Sequence, residues 1–218
     1  MKFALRLFIC LLCSTAFAHA DVIPKTLFEL AGAKAEPAKL SNNVLVIIDA
    51  QREYVDGSLP LVGVDAAIGE ISQLLARARK SGTPVIHIVH KGKAALFNPA
   101  GKYFDIVAPL HPLTTETVIE KTRVSAFADT GLAEAIRLTN RKNLIIVGFM
   151  THNCVSSTAR VASDMGYNVT IVAKATATRD LPDGNGGAIP ASSIQASSLA
   201  ELADRNARVV QTERDILE

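Results

Sequence analysis

Apolar residues fall along this chain in short unbroken runs separated by amphipathic stretches. Val44 to Ile48, inside the segment Asn43–Ala50, is such a run, and it predicts a strand buried on both faces. From Asp65 to Ser81 the period changes. Ile68, Ile71, Leu75 and Ala78 recur at helical spacing, and Gly82 stands where a helix would stop. Pro84–His90 and the short segment Glu116–Glu120 read as the second and third strands. Thr130–Asn140 reads as a helix facing inward through Leu132, Ala135 and Ile136. Asn143–Phe149 is a very apolar fourth strand, Val155–Met165 a helix closed by Gly166, and Asn168–Ala173 a fifth strand. A glycine-rich loop over 182–190 leads to a helix at Ser192–Asp204, with Ile194, Leu199 and Leu202 toward the core. A last strand follows at Ala207–Gln211.

Strands that alternate with helices imply right-handed crossovers and a parallel sheet. The expected fold is therefore α/β: a three-layer αβα sandwich around a mostly parallel, doubly wound sheet of about six strands. No boundary interrupts the pattern over 42–218, which reads as one domain. Residues 21–41, with Pro24 and Pro37, read as an irregular arm over its surface.

The first twenty residues belong to a different pattern. Lys2 and Arg6 precede the apolar stretch Phe8–Phe17, and Ala18-His19-Ala20 fits a small-x-small cleavage site. This is the pattern of a secretory signal peptide, and it points to a periplasmic or secreted protein. An N-terminal membrane anchor is the competing reading, because the stretch approaches spanning length. The whole chain has 218 residues with 23 Lys+Arg against 21 Asp+Glu, and the leader holds two of those cations and no acid. The remainder is charge-balanced, which argues against a nucleic-acid partner and, once the leader is removed, against a membrane partner. Cys10 and Cys13 also lie in the leader. Cys154 is then a single thiol with no disulfide partner, either buried or put to use.

In doubly wound sheets, ligands bind at the carboxyl ends of the strands. Asp49 ends the first strand, Lys121 follows the third, and Cys154 follows the fourth after a short turn. The set is chemically coherent. A thiolate is a nucleophile, favoured by the helix that follows it. A carboxylate can take the thiol proton and later deliver it to a leaving amine, and an ammonium between the two would hold both anions.

These residues resemble a known family. Val46-Ile47-Ile48-Asp49-Ala50-Gln51, the run from Glu120-Lys121 to Phe127, and Gly148-Phe149-Met150-Thr151-His152-Asn153-Cys154-Val155 resemble three motifs of the isochorismatase-like cysteine hydrolases. Ala175–Asp180 is similar to the segment after their fifth strand. The resemblance implies an Asp49–Lys121–Cys154 triad and a cis peptide at Phe149–Met150. It also implies an oxyanion site made by the backbone N–H groups of Met150 and Cys154. Activity on small amide, urea or lactam-like C–N bonds through a thioester is implied as well, as is self-association into a homo-oligomer. The metal-binding branch of that family uses an Asp-x-His pair. This chain has none, so neither a metal nor another cofactor is expected.

Other residues have open roles. Tyr54, Phe97 and Phe127 are candidates for a pocket wall or for ordinary packing. Gln51 could orient Asp49 or bond nearby backbone. His90, Thr151 and His152 are candidates for substrate contact, whereas His87, three residues before His90 on a strand, faces the other way and reads as a core histidine. Two alternatives to hydrolysis stand beside it: a peroxide-sensitive single-thiol redox protein, and a catalytically silent small-molecule binding module. Processing is directly testable. N-terminal sequencing of exported protein is expected to begin near Asp21, and an intact N-terminus in a membrane fraction would establish the anchor instead.

Overall fold

The computed structural model describes residues 23–33 and 36–218. The N-terminal segment that reads as a signal peptide lies outside the described residues. The arm, expected to be irregular, holds one short helix, α1 (Leu27–Leu30). Thr26 and Glu29 start it by capping each other's backbone N–H groups.

β1 (Asn43–Ile48) is buried along its whole length. α2 (Val64–Lys80) and β2 (Val85–His90) follow. After a long connection come β3 (Thr117–Lys121), α3 (Leu132–Leu138) and β4 (Asn143–Phe149). A wide turn over Thr151–Val155 leads into α4 (Ser156–Asp164). β5 (Asn168–Ala177) runs four residues beyond its expected end. The glycine-rich loop contains a small antiparallel pair, β6 (Leu181–Pro182) with β7 (Ala188–Ile189). α5 (Ala191–Arg205) and β8 (Arg208–Val210) complete the domain.

The main sheet has six strands in the order β3-β2-β1-β4-β5-β8, and every pair is parallel. Alternate residues of β1 divide between two apolar layers. Leu45 and Ile47 pack with Ile71, Leu74 and Leu75 of α2. Val44, Val46 and Ile48 pack with Leu132 and Ile136 of α3, Ala159 of α4 and Leu202 of α5. This two-sided burial is why the strands read as continuous apolar runs rather than alternating ones. Ile194 and Leu199 of α5 are only half-buried, so Leu202 alone of the three expected residues is fully enclosed.

Gly148 makes the centre of the sheet possible. It pairs with Ile48, has φ 109°, and a Cβ at this position would lie 2.0 Å from the Ile48 carbonyl oxygen. Side chains cannot adopt that conformation without strain or occupy that space. Gly148→Ala should therefore destabilise the fold by more than ~3 kcal/mol. Gly69→Ala, on an open face of α2, should stabilise it by ~1 kcal/mol. Urea unfolding of the two variants measures both.

Candidate active site

The chain winds β1-β2-β3 to one side of the sheet and β4-β5-β8 to the other. The reversal falls between β1 and β4, the place where folds of this kind bind ligands, outside the carboxyl ends of the strands. Asp49 stands at one lip. It takes φ 48°, a left-handed conformation unusual for a non-glycine residue, which ends the strand and turns the chain at once. Its N–H still donates to the Ile88 carbonyl, 3.0 Å away, so β2 holds it in place. At the other lip the Phe149–Met150 peptide is cis. The Met150 carbonyl accepts from both Asn153 N and Val155 N, at 3.0 and 3.2 Å, forming the wide turn that carries Cys154.

Lys121 comes from the edge strand, two strands away from β1, and its long side chain crosses β2 to reach the crevice. Lys121 Nζ lies 2.8 Å from Asp49 Oδ2 and 3.3 Å from Cys154 Sγ. It also lies 2.9 Å from His90 Nδ1 and 3.1 Å from the Arg123 carbonyl oxygen. All three residues are buried. Asp49 is 0% exposed, Lys121 1% and Cys154 4%, so the thiol is the member most open to an incoming molecule.

The electrostatics correct one expectation. The thiol is not a resting thiolate. Burial pushes Cys154 up to about 12, and the negative charge of Asp49 adds to this. Lys121 opposes both and is outweighed. Asp49 is itself raised by burial, against the pull of Lys121, which makes it a better proton acceptor than an ordinary carboxylate. The proton thus stays on sulfur, beside a carboxylate that can receive it.

The remaining sequence candidates divide. Tyr54 and Phe97 pack together with ring centroids 5.0 Å apart, and Phe97 sets its edge against His90 at 5.1 Å. Burial holds the Tyr54 phenol far from ionisation, and the negative charge of Asp49 acts in the same direction, so this aromatic wall stands within electrostatic reach of Asp49. Phe127 stacks on Tyr167 in the layer of α3 and α4, which also holds Cys154. Gln51 does not orient Asp49. Its amide donates to the carbonyls of His90 and Phe104, at 3.1 and 2.7 Å, and accepts from His90 N at 2.8 Å. Thr151 is fully buried, with its hydroxyl unpaired. The His152 Nδ1 pairs with the Thr178 hydroxyl. His87 is buried on the opposite face, bonded to Glu116 at 3.0 Å.

Sequence reasoning passed over Arg179. Its position just beyond β5 was the only signal, since a charge there sits on the ligand-binding rim. The guanidinium is near enough to Tyr54 and His152 to shift the ionisation of both, and its Nε is buried without a partner. A cavity of about 760 Å³ lies elsewhere, between the arm and the amino ends of the strands, and Asp49, Lys121 and Cys154 do not line it. Among the described residues, no group of three His, Cys, Asp or Glu side chains is placed to hold a metal ion.

The opposing effects of Asp49 and Lys121 on sulfur give a signed test. Alkylation of wild-type Cys154 by iodoacetamide should be slow at neutral pH and accelerate toward its raised pKa of about 12. Lys121→Ala should slow it further. Asp49→Asn should quicken it, because a negative neighbour is removed.

Known proteins share the sequence pattern and the fold of this chain. The family model for the isochorismatase domain matches residues 43–214. A secreted isochorismatase effector of Verticillium dahliae is 36% identical over 177 residues, 80% of this chain and 90% of the relative. A ureidoacrylate amidohydrolase of Acinetobacter baylyi is 27% identical, over 58% of this chain and 69% of the relative. The crystal structure of an isochorismatase from Pseudomonas putida superposes with a TM-score of 0.85 at 43% identity, covering 89% of this chain and all of that one. Members of the family hydrolyse amide C–N bonds. With its matching domain, six-stranded sheet and close relatives, this chain belongs to the isochorismatase family of hydrolases.

Proposed function

We propose that the protein is a secreted cysteine amidohydrolase acting on a small, non-peptide C–N bond, with Asp49, Lys121 and Cys154 as its catalytic residues. The observation that carries this reading is the position of Lys121 Nζ, 2.8 Å from the carboxylate and 3.3 Å from the thiol, with all three residues buried at the reversal of the sheet. A substrate carbonyl entering beside Cys154 meets a protonated sulfur. Asp49 takes the thiol proton as Sγ bonds to the carbonyl carbon, and Lys121 holds the negative charge in place throughout. The carbonyl oxygen becomes an oxyanion, received by the N–H groups of Met150 and Cys154. Asp49 then gives its proton to the departing nitrogen. The C–N bond breaks and a thioester remains. Water attacks the thioester, losing its proton to Asp49, and the acid leaves as the thiol is restored.

Arg179 narrows the substrate class. A guanidinium with an unpaired buried Nε, next to Tyr54 and His152, suits a carboxylate or similar anionic group on the substrate. The amidohydrolase relative acts on ureidoacrylate, a urea-type C–N bond on an acid. The leader pattern and the secreted relative support export.

Cys154→Ser should fold normally, since no disulfide depends on this residue, and lose at least about a thousandfold in turnover. The assay is ammonia or amine release from a panel of small amides and ureas, with and without a carboxylate. Isochorismate, followed by pyruvate release, and peroxide consumption run beside it. Full hydrolysis by a folded Cys154→Ser protein would exclude the thioester route. Turnover of isochorismate alone would replace amide hydrolysis with ether cleavage.

A further inference from the structure

His90 occupies a place that the triad does not explain. It ends β2, in register with Lys121 at the end of β3, so the two side chains leave the same face of the sheet. Lys121 must cross this position to reach Asp49. Its ammonium has three protons and four acceptors within reach: Asp49 Oδ2, His90 Nδ1, the Arg123 carbonyl oxygen and Cys154 Sγ. An ammonium cannot accept a hydrogen bond, so at 2.9 Å the His90 Nδ1 must be the unprotonated nitrogen and Nε2 must carry the hydrogen. The imidazole is itself fixed. Gln51 bonds both its backbone N–H and its carbonyl, and the edge of Phe97 packs against its ring. A side chain clamped in this way, presenting one acceptor to the catalytic ammonium, has a defined job.

We infer that His90 is a positioning residue for Lys121: its Nδ1 holds the ammonium midway along the crossing, so that the positive charge reaches Asp49 and Cys154 in one fixed geometry. The inference rests on the hydrolase reading above for its catalytic consequence, and on the hydrogen bond alone for its effect on the thiol. It also gives Gln51 a role, that of holding the main chain of His90. The neutral imidazole is consistent with its surroundings, since burial and the adjacent Lys121 charge lower His90 to about 4.

Asparagine and glutamine separate the two ring nitrogens. The Oδ1 of asparagine can stand where Nδ1 stands, whereas the glutamine amide reaches toward Nε2. His90→Asn should keep turnover within about tenfold of wild type, and His90→Gln and His90→Ala should lose about a hundredfold or more. Without its tether the ammonium shields sulfur less well, so the pH midpoint of Cys154 alkylation should rise by about one unit in the Gln and Ala variants and stay in place in the Asn variant. Each variant is first checked for native circular dichroism. Equal behaviour of the folded Asn and Gln variants, or an unmoved alkylation profile in either Gln or Ala, would overturn the assignment. Alkylation needs no substrate. A wild-type protein that hydrolyses no amide would defeat the hydrolase reading, and the alkylation comparison would still decide the role of His90.

Discussion

A lysine ammonium with no access to water governs the centre of this molecule. Burying such a charge costs several kcal/mol unless its surroundings supply a counter-charge and acceptors. Lys121 has both: the Asp49 carboxylate at 2.8 Å and two further acceptors, His90 and the Arg123 carbonyl. The residues around it are consequently constrained. Asp49 has to turn into the crevice, which it does through a left-handed backbone. His90 has to stay neutral. Arg123 has to direct its carbonyl back toward the residue two before it. Removing the Asp49 carboxylate would leave an uncompensated charge in the core, which is more damaging than the loss of a single contact.

The sheet supplies the geometry that makes the pair possible. Lys121 comes from the edge strand β3, yet its ammonium ends beside Asp49, just past the end of β1. Only a long, unbranched side chain spans β2 in this way. On the opposite lip, the absence of a side chain at Gly148 lets β4 lie against the Ile48 backbone. Thiol and carboxylate thereby come from adjacent strands and the ammonium from a distant one, and the charge is brought in over the top of the sheet.

The same burial that fixes the geometry sets the chemistry. A thiol in open solution beside a lysine would lose its proton readily. Here desolvation and Asp49 together outweigh Lys121, and the proton stays on sulfur. In the proposed reaction the proton is therefore transferred rather than shed, from Cys154 to a carboxylate that burial has made more basic.

Much of this was legible in the chain. The unbroken apolar runs at 44–48 and 143–149, set between amphipathic helices, specify strands buried on both faces and therefore a parallel, doubly wound sheet. That sheet places Asp49, Lys121 and Cys154 on one rim. These features depend on local periodicity and on the end of each strand, both of which a sequence displays. What the sequence did not contain was the balance of long-range terms. That the Gln51 side chain bonds the backbone of His90, that Phe127 stacks on Tyr167, that Arg179 acts on Tyr54, and that the thiol stays protonated all follow from distances between residues far apart in the chain. Hydrogen bonds and desolvation act over a few ångströms of space, and only the folded chain decides which groups share that space.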